Sequence, residues 1–525
     1  MARNRKVWLF GALLIYLYFR GTGSHGLIDP VEGVNASIAL HMSAGGSYFL
    51  PKMGEILTAG RSLGTWWLEA LALKIFGWSE FAVRFWSTLA GLGIVAASVL
   101  SARQNSEDSE RKGWLAAVIS ASMSVCFVSS QIASSSAIYS CLTGFAMTGI
   151  ILSHDNKCWL ILSHAVSSFA FIAHGPEGII FTWLAVIAYS VLCDDWDLLK
   201  DYFTWPAGII TGVIISGLYL VMIIALNPNL LYFMTFQNQI YSFGGFMGAA
   251  IFAFIAFAPF HGFIIRALCE ILPSEYPAEK NTEIFMTVWA GVFFLGSILE
   301  GDIMSLASCV PALSAITARR LDSWLWQEKL FSLREAVMIN TLILAPVLYI
   351  ILPFFTGKFP VMGASFMALI TWWILTGLFL FACWYYTRTR QVKKWVRNVS
   401  AAALFCLMPL SGVFSLTSEI YSIDEIGLKL RDLAQGSDRL IQYGVNYQSV
   451  YFYTFRNSEL IAAPLTAGVD DWQFTTNIER LNSLWSSNER VFLIIAAGTQ
   501  PREFLPGNNI FHILDAQGMT LLSNK

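Results

Sequence analysis

Thirteen stretches of this 525-residue chain are apolar enough to cross a bilayer. The criterion is a spanning helix of roughly 20 residues, with shorter or tilted ones admitted. They cover residues 7–19, 81–102, 114–130, 137–153, 158–173, 178–193, 205–226, 243–265, 285–299, 303–318, 336–355, 364–386 and 399–416. Between the first and second lies a long segment of different pattern. From Gly26 to Arg84 apolar residues recur at helical spacing without forming an unbroken run. Ile38, Leu40 and Met42 follow Glu32, and Trp66, Trp67, Leu68, Leu71, Leu73 and Ile75 follow Arg61. Amphipathic helices of that length lie in a membrane interface rather than span it. Residues 35–42 and 63–76 are therefore predicted to be surface-lying helices covering a cavity between the spans. Asp29, Glu32, Glu55 and Arg61 lie along this loop, and charged groups gathered beside a bundle mark a candidate site.

After Leu416 the pattern changes again, and residues 417–525 are polar enough for a small soluble domain. Residues 449–455 and 490–495 are β-rich, and 510–514 and 520–522 flank Gln517-Gly518 as a hairpin would. Helical spacing appears at 423–433 and 476–484. The expected organisation is a transmembrane domain over 1–416, with an interfacial loop at 20–80, followed by an α/β domain over 417–525. The latter holds no Gly-rich phosphate loop and no nucleophile elbow, so it reads as a lid or partner-binding module.

Composition excludes a soluble protein. At 56% hydrophobic and 13% charged residues, the chain has too much apolar surface to hide, and it reads as a polytopic α-helical membrane protein. A net charge of −2 singles out no partner, and no nucleic acid is expected. The eight cysteines precede residue 410 and show no C-x-x-C spacing, so they read as buried small hydrophobes. MARNRK followed by an apolar run without a small-residue cleavage site predicts a retained first helix. Short loops set the orientation. Arg3, Arg5 and Lys6, then Arg103, Arg111 and Lys112, then Arg319, Arg320, Lys329 and Arg334, then Arg388, Arg390, Lys393, Lys394 and Arg397 fall on one side of a thirteen-span topology. That side is cytoplasmic, which puts the loop at 20–80 and the C-terminal domain outside, in the periplasm if the membrane is a bacterial inner one.

The Gly26–Arg84 segment resembles the first extracytoplasmic loop of membrane glycosyltransferases that use polyprenyl-phosphate sugars, the aminoarabinose transferases and protein O-mannosyltransferases. Pro30, Val31 and Glu32 stand at the family's P-D-E, and Phe76-Gly77, Phe81 and Arg84 match its F-G and F-x-x-R. Phe171–Ile180 is similar to the family's F-L-T-K-G-P segment, with His174 in place of the lysine, and Pro311-Ala312-Leu313 are retained further on. The departures are at the chemistry. Val31 replaces the acidic residue, Gly60, Arg61 and Ser62 replace E-K-P, and serines at 134–136 stand where relatives carry Arg and Asp. The resemblance implies a GT-C-like fold of about thirteen transmembrane helices with a C-terminal soluble α/β domain.

It also implies a reaction. An acceptor hydroxyl attacks the anomeric carbon of a sugar carried on polyprenyl phosphate, and a carboxylate takes the proton. Basic side chains or a divalent metal offset the charge of the departing phosphate, and the sequence leaves that choice open. Asp29 and Glu32 are the candidate catalytic carboxylates, and Arg61, His174 and Arg84 the candidate substrate-binding groups. Asp29 ahead of Pro30 also fits a helix N-cap. Arg61 equally suits a lipid headgroup, and Glu300 and Asp302 read as a solvated turn. Two functions follow. One is transfer from a polyprenyl-phosphate donor to an extracytoplasmic acceptor, and the other is a catalytically inactive homologue serving as scaffold or subunit of a membrane complex.

Overall fold

Helices make up most of the chain, and their lengths follow its apolar runs. The computed structural model describes residues 2–53, 56–57, 62–104, 108–226, 255–271, 281–327, 329–358, 364–461, 478–505 and 509–525. Among these, six helices are long and apolar enough to cross a membrane, beginning at Glu80, Ser135, Pro206, Thr282, Ile370 and Val392. A seventh arises if Ser109–Ser122 and Ser124–Gln131, bent by 57°, form one span. The break is Met123, whose extended backbone interrupts the helical ladder, and the amide of Ser124 then donates to Ala258 O at 2.9 Å. Trp8–Phe19, Trp159–Ala173 and Glu177–Cys193 are apolar but shorter. The stretch at 243–265 falls partly outside the described residues, and the one at 303–318 opens as a 3-10 turn over Ile303–Cys309 before the helix Val310–Trp326. This is the helical architecture of an integral membrane protein.

Two compact units make up the chain. The first comprises Met1–Thr22, Ala59–Leu68 and Arg84–Val413. Its helices meet through small side chains, as where Ala90, Ala137 and Ala173 pack with Ile138. Several of its charged residues pair off. The Arg111 guanidinium forks onto Asp322 at 2.6 and 3.0 Å, Arg266 bonds Glu335 at 2.7 Å, and Arg320 bonds Glu283. The cysteines divide: Cys126, Cys309, Cys383 and Cys406 are buried, whereas Cys158 and Cys269 are exposed because they face outward at or near helix ends.

The second unit joins Gly23–Thr58 and Glu69–Val83 to Phe414–Lys525. A short ribbon pairs β1 (Lys52–Met53) with β2 (Ile56–Leu57). The main sheet is built from β3 (Arg439–Tyr443), β4 (Glu459–Ile461), β5 (Val491–Ala496), β6 (Phe511–Ala516) and β7 (Met519–Ser523). Its order is β4-β3-β5-β7-β6, parallel through the first three and antiparallel through the last three. β5 is central, buried from Val491 to Ile495, and packs with Leu481, Trp485 and Leu505. The β6–β7 hairpin turns at Gln517 and Gly518, both at positive φ, as the sequence predicts.

Two expectations fail in this unit. Residues 449–455, β-rich by composition, form the helix Ser449–Thr454, whose side chains are buried all round and whose first amide is held by Asp29. Tertiary packing overrides intrinsic preference here. The helix Val31–Ser43 is not a one-faced interfacial helix either. Ala36 to Leu40 are buried consecutively, which requires cover on every side. That cover includes the C-terminal segment, since Leu27 N–H donates to Tyr453 Oη at 2.8 Å and Asp29 N–H to Tyr421 O at 2.9 Å.

Candidate functional site

Four residues spaced four apart, Asp29, Gly33, Ser37 and His41, define a polar stripe along and just ahead of the helix Val31–Ser43. All meet the segment 448–451. Ser37 Oγ donates to Gln448 O at 2.9 Å, and His41 Nδ1 lies 3.2 Å from Tyr451 Oη. The Asp29 carboxylate accepts the Ser449 amide, 3.0 Å from Oδ1 and 3.3 Å from Oδ2, and also the Ser449 hydroxyl. Gly33 makes room for this. A Cβ there would strike Asp29 Oδ1 and come within 2.6 Å of the Ser449 nitrogen. Asp29 therefore does not cap its own helix. Pro30 occupies that position without a side-chain bond, and the Glu32 carboxylate reaches back to the Ile28 amide at 2.8 Å.

Burial pushes the Asp29 carboxyl up to about 7, against the lowering effect of the Ser449 bonds, and the charge of Glu32 adds to the rise. Glu32 is fully buried, whereas Val31, at the position of the family's acid, is 52% exposed. The buried face thus carries carboxyls at 29 and 32 and turns 31 outward. A third carboxyl, unforeseen from sequence, belongs to the same unit. Glu69 is fully buried, and burial followed by the charge of Glu32 pushes it well above the usual carboxylate range. Its signal is visible in retrospect: it is the lone acid in the apolar run Thr65–Ile75.

In the helical unit, His174 closes the helix Trp159–Ala173. Its Nδ1 lies 2.8 Å from Ser135 Oγ, its Nε2 lies 3.9 Å from carboxylate oxygens of both Glu300 and Asp302, and its ring stacks on Tyr139. Asp302 accepts from Ser136 Oγ at 2.7 Å and from the Met304 amide at 3.0 Å. Glu300 and Asp302 are thus not a solvated turn. Glu300 is only 6% exposed, and the serines at 135 and 136 bind the members of this cluster. Burial lowers the His174 imidazole, but bonding and attraction from Glu300 and Asp302 outweigh it, so the net shift is upward. A raised folded-state value stabilises the fold below the unfolded imidazole range and loses that contribution as pH rises through the folded one. We expect thermal unfolding in detergent to shift to lower temperature as pH rises above the ordinary imidazole range, with the slope removed in His174→Gln. An unchanged slope in the variant overturns this assignment.

Arg84 is fully buried in the helical unit, and its Nη1 donates to Thr22 O at 3.1 Å. Arg61 and Glu55 lie outside the described residues. Among the described residues no group of three or more His, Cys, Asp or Glu is placed to hold a metal ion.

No protein-family model matches this chain, and no curated protein does. Solved structures do. The structure of ArnT from Cupriavidus metallidurans bound to undecaprenyl phosphate superposes with a TM-score of 0.80 at 15% identity, over 99% of this chain and 98% of that one. The apo state of the same protein gives a TM-score of 0.78 at 14% identity, over 100% and 99%. ArnT is an aminoarabinose transferase of GT-C fold, and a likeness of this extent establishes that fold for the present chain.

Proposed function

We propose that this protein, having a GT-C fold, transfers a sugar from a polyprenyl-phosphate donor to an extracytoplasmic acceptor, with Asp29 as the base. The observation that carries the reading is a buried carboxyl held at about 7 beside Glu32. A general base is most effective when its pKa lies near the working pH. In the step, the acceptor hydroxyl gives its proton to Asp29 while its oxygen bonds the anomeric carbon. The bond from that carbon to the phosphate oxygen breaks, and the phosphate leaves with the electron pair. The donor-binding roles of Arg61, Arg84 and His174 rest on the family resemblance. The fold shared with an undecaprenyl-phosphate-bound protein supports a lipid-linked donor. The test is transfer from undecaprenyl-phosphate-linked sugars by the purified protein. Sugar appearing on the acceptor supports the reading, and none from any donor tried overturns it.

The proposed topology has thirteen spans, the amino terminus in the cytoplasm and residues 417–525 outside, in a bacterial inner membrane. The Lys and Arg bias of the short loops supports it. Reporter fusions after Lys112 and Arg334 should read cytoplasmic and a fusion after Lys525 external. A cytoplasmic signal from the last refutes this topology.

A second reading has its own support. The Asp29 oxygens are occupied by Ser449, and acidic groups flank His174 where the family places positive charge. On these grounds the chain is an inactive homologue that scaffolds a membrane complex. A stable complex co-purifying from native membranes, together with no transfer, favours it.

A further inference from the structure

In the helical unit the helices His261–Ile271 and Leu330–Lys358 leave between them a groove of about 440 Å³, lined by Arg266, Cys269, Glu335, Met338, Ile339 and Leu342. Spacing explains the lining. Glu335, Met338, Ile339 and Leu342 fall at i, i+3, i+4 and i+7, one face of a helix, and Arg266 and Cys269 are three apart on the facing one. The two helices touch behind that face. The Gly262 amide donates to Asn340 Oδ1 at 2.9 Å, and a Cβ on Gly262 would come within 2.1 Å of the Asn340 nitrogen. Met338 and Leu342 are 63% and 70% exposed although both are large and apolar. In an integral membrane protein such a wall meets acyl chains, which are as apolar as leucine, so it shapes a site without selecting its occupant. Selection falls to the polar end.

At that end two cations meet three carboxylates. Arg266 Nε bonds Glu335 at 2.7 Å, Arg266 Nη2 bonds Ser332 Oγ at 3.1 Å and lies 3.2 Å from Glu270, and Arg320 bonds Glu283 and lies 3.9 Å from Glu270. Trp324 Nε1 also donates to Glu270, at 3.0 Å. Glu335 is the acid left open. Its side chain is 37% exposed, and among the described residues only Arg266 bonds it. Among the same residues no bond reaches Arg266 Nη1. Arg334, the exposed residue before Glu335, is turned about 100° away around the helix. The groove thus offers a surplus acceptor for an ammonium and, on Nη1, a donor for an anion. We propose that it binds a phospholipid with a primary-amine head, of phosphatidylethanolamine chemistry, with the ammonium on Glu335, the phosphate on Arg266 Nη1 and an acyl chain along Met338, Ile339 and Leu342. A choline head has no N–H to donate, and a glycerol head brings no cation to the acid. The site is independent of the transferase reading.

Cys269 lines the groove and is exposed, and Cys158, also exposed, is a control in the same chain. The full chain in detergent is labelled with a maleimide in the presence of dioleoyl phosphatidylethanolamine, phosphatidylcholine or phosphatidylglycerol, and each cysteine is read by peptide mass spectrometry. Phosphatidylethanolamine should slow labelling of Cys269 relative to Cys158 at concentrations at least about tenfold below those needed of the other two, the difference expected for about one charge-assisted hydrogen bond. Glu335→Gln keeps a carbonyl for Arg266 and should bring the three lipids level. Leu342→Trp, which fills the groove without touching the ion pair, should remove the protection. Equal protection by all three lipids in wild type identifies a non-selective annular contact and overturns the proposal. So does stronger protection by phosphatidylglycerol, no protection by any lipid, or a phosphatidylethanolamine preference that survives in Glu335→Gln or in Leu342→Trp. Should one variant fail to fold, the other and the wild-type comparison decide.

Discussion

Asp29→Asn is expected to lower sugar transfer by about a hundred- to ten-thousand-fold, the usual contribution of a general base. Asparagine keeps the size of the side chain and one carbonyl oxygen for the Ser449 amide. Its NH₂ group can donate to the Ser449 hydroxyl, so the packing between the two helices survives. What disappears is the ability to take a proton. Stability moves the other way with pH. The folded-state value of about 7 lies above the ordinary aspartate range, so the folded chain holds an extra proton between about pH 4 and pH 7. Wild-type stability therefore falls as pH rises through that window, and the asparagine variant, which has no proton to lose, should not share the fall. A folded variant that transfers at the wild-type rate would refute Asp29 as base, and Glu32→Gln would be the next comparison.

Gly33→Val should destabilise the C-terminal unit by about 3 kcal/mol or more, at the upper end of overpacking costs. The space a Cβ needs is filled by the Asp29 carboxylate on one side and the Ser449 backbone on the other. Neither can withdraw cheaply. The carboxylate is anchored by the bonds that would have to break, and the amide opens the buried helix Ser449–Thr454. Thermal unfolding in detergent measures the effect. Gly33→Ala should fall between Val and wild type. A Val variant as stable as wild type would mean that the carboxylate does not occupy this position.

The parts of this architecture that local pattern carries were legible in the sequence. Long apolar runs such as Pro206–Leu226 announce themselves by length and composition, and the β6–β7 turn by Gln517-Gly518. The site is less legible because its contacts are remote. Asp29 and Ser449 are 420 residues apart, and no spacing rule connects them. Without that partner, local pattern leaves Asp29 equally readable as a cap on its own helix or a catalytic acid, and reads residues 449–455 as a strand. The polar stripe Gly33, Ser37 and His41 was hidden for another reason. Apolar periodicity points to Ile38, Leu40 and Met42 and carries no signal for the polar and small residues beside them. His174 is marked by its resemblance to a family lysine, whereas Glu300 and Asp302 read locally as a turn, and Ser135 and Ser136, remote in sequence, join the cluster. Glu69 stood in plain view as one acid among tryptophans and leucines, and only its burial without a partner distinguishes it from a surface charge.

The measurement that bears most directly on the central claim is the pH dependence of transfer by the purified wild-type protein, with an undecaprenyl-phosphate-linked sugar in excess. With Asp29 as an ionised base, the rate should climb with pH below about 7, where the carboxyl is protonated, and level off above it, with the limb absent from the residual activity of Asp29→Asn. Transfer that does not change across that range, or a limb of the same position and height in Asp29→Asn, would contradict the account.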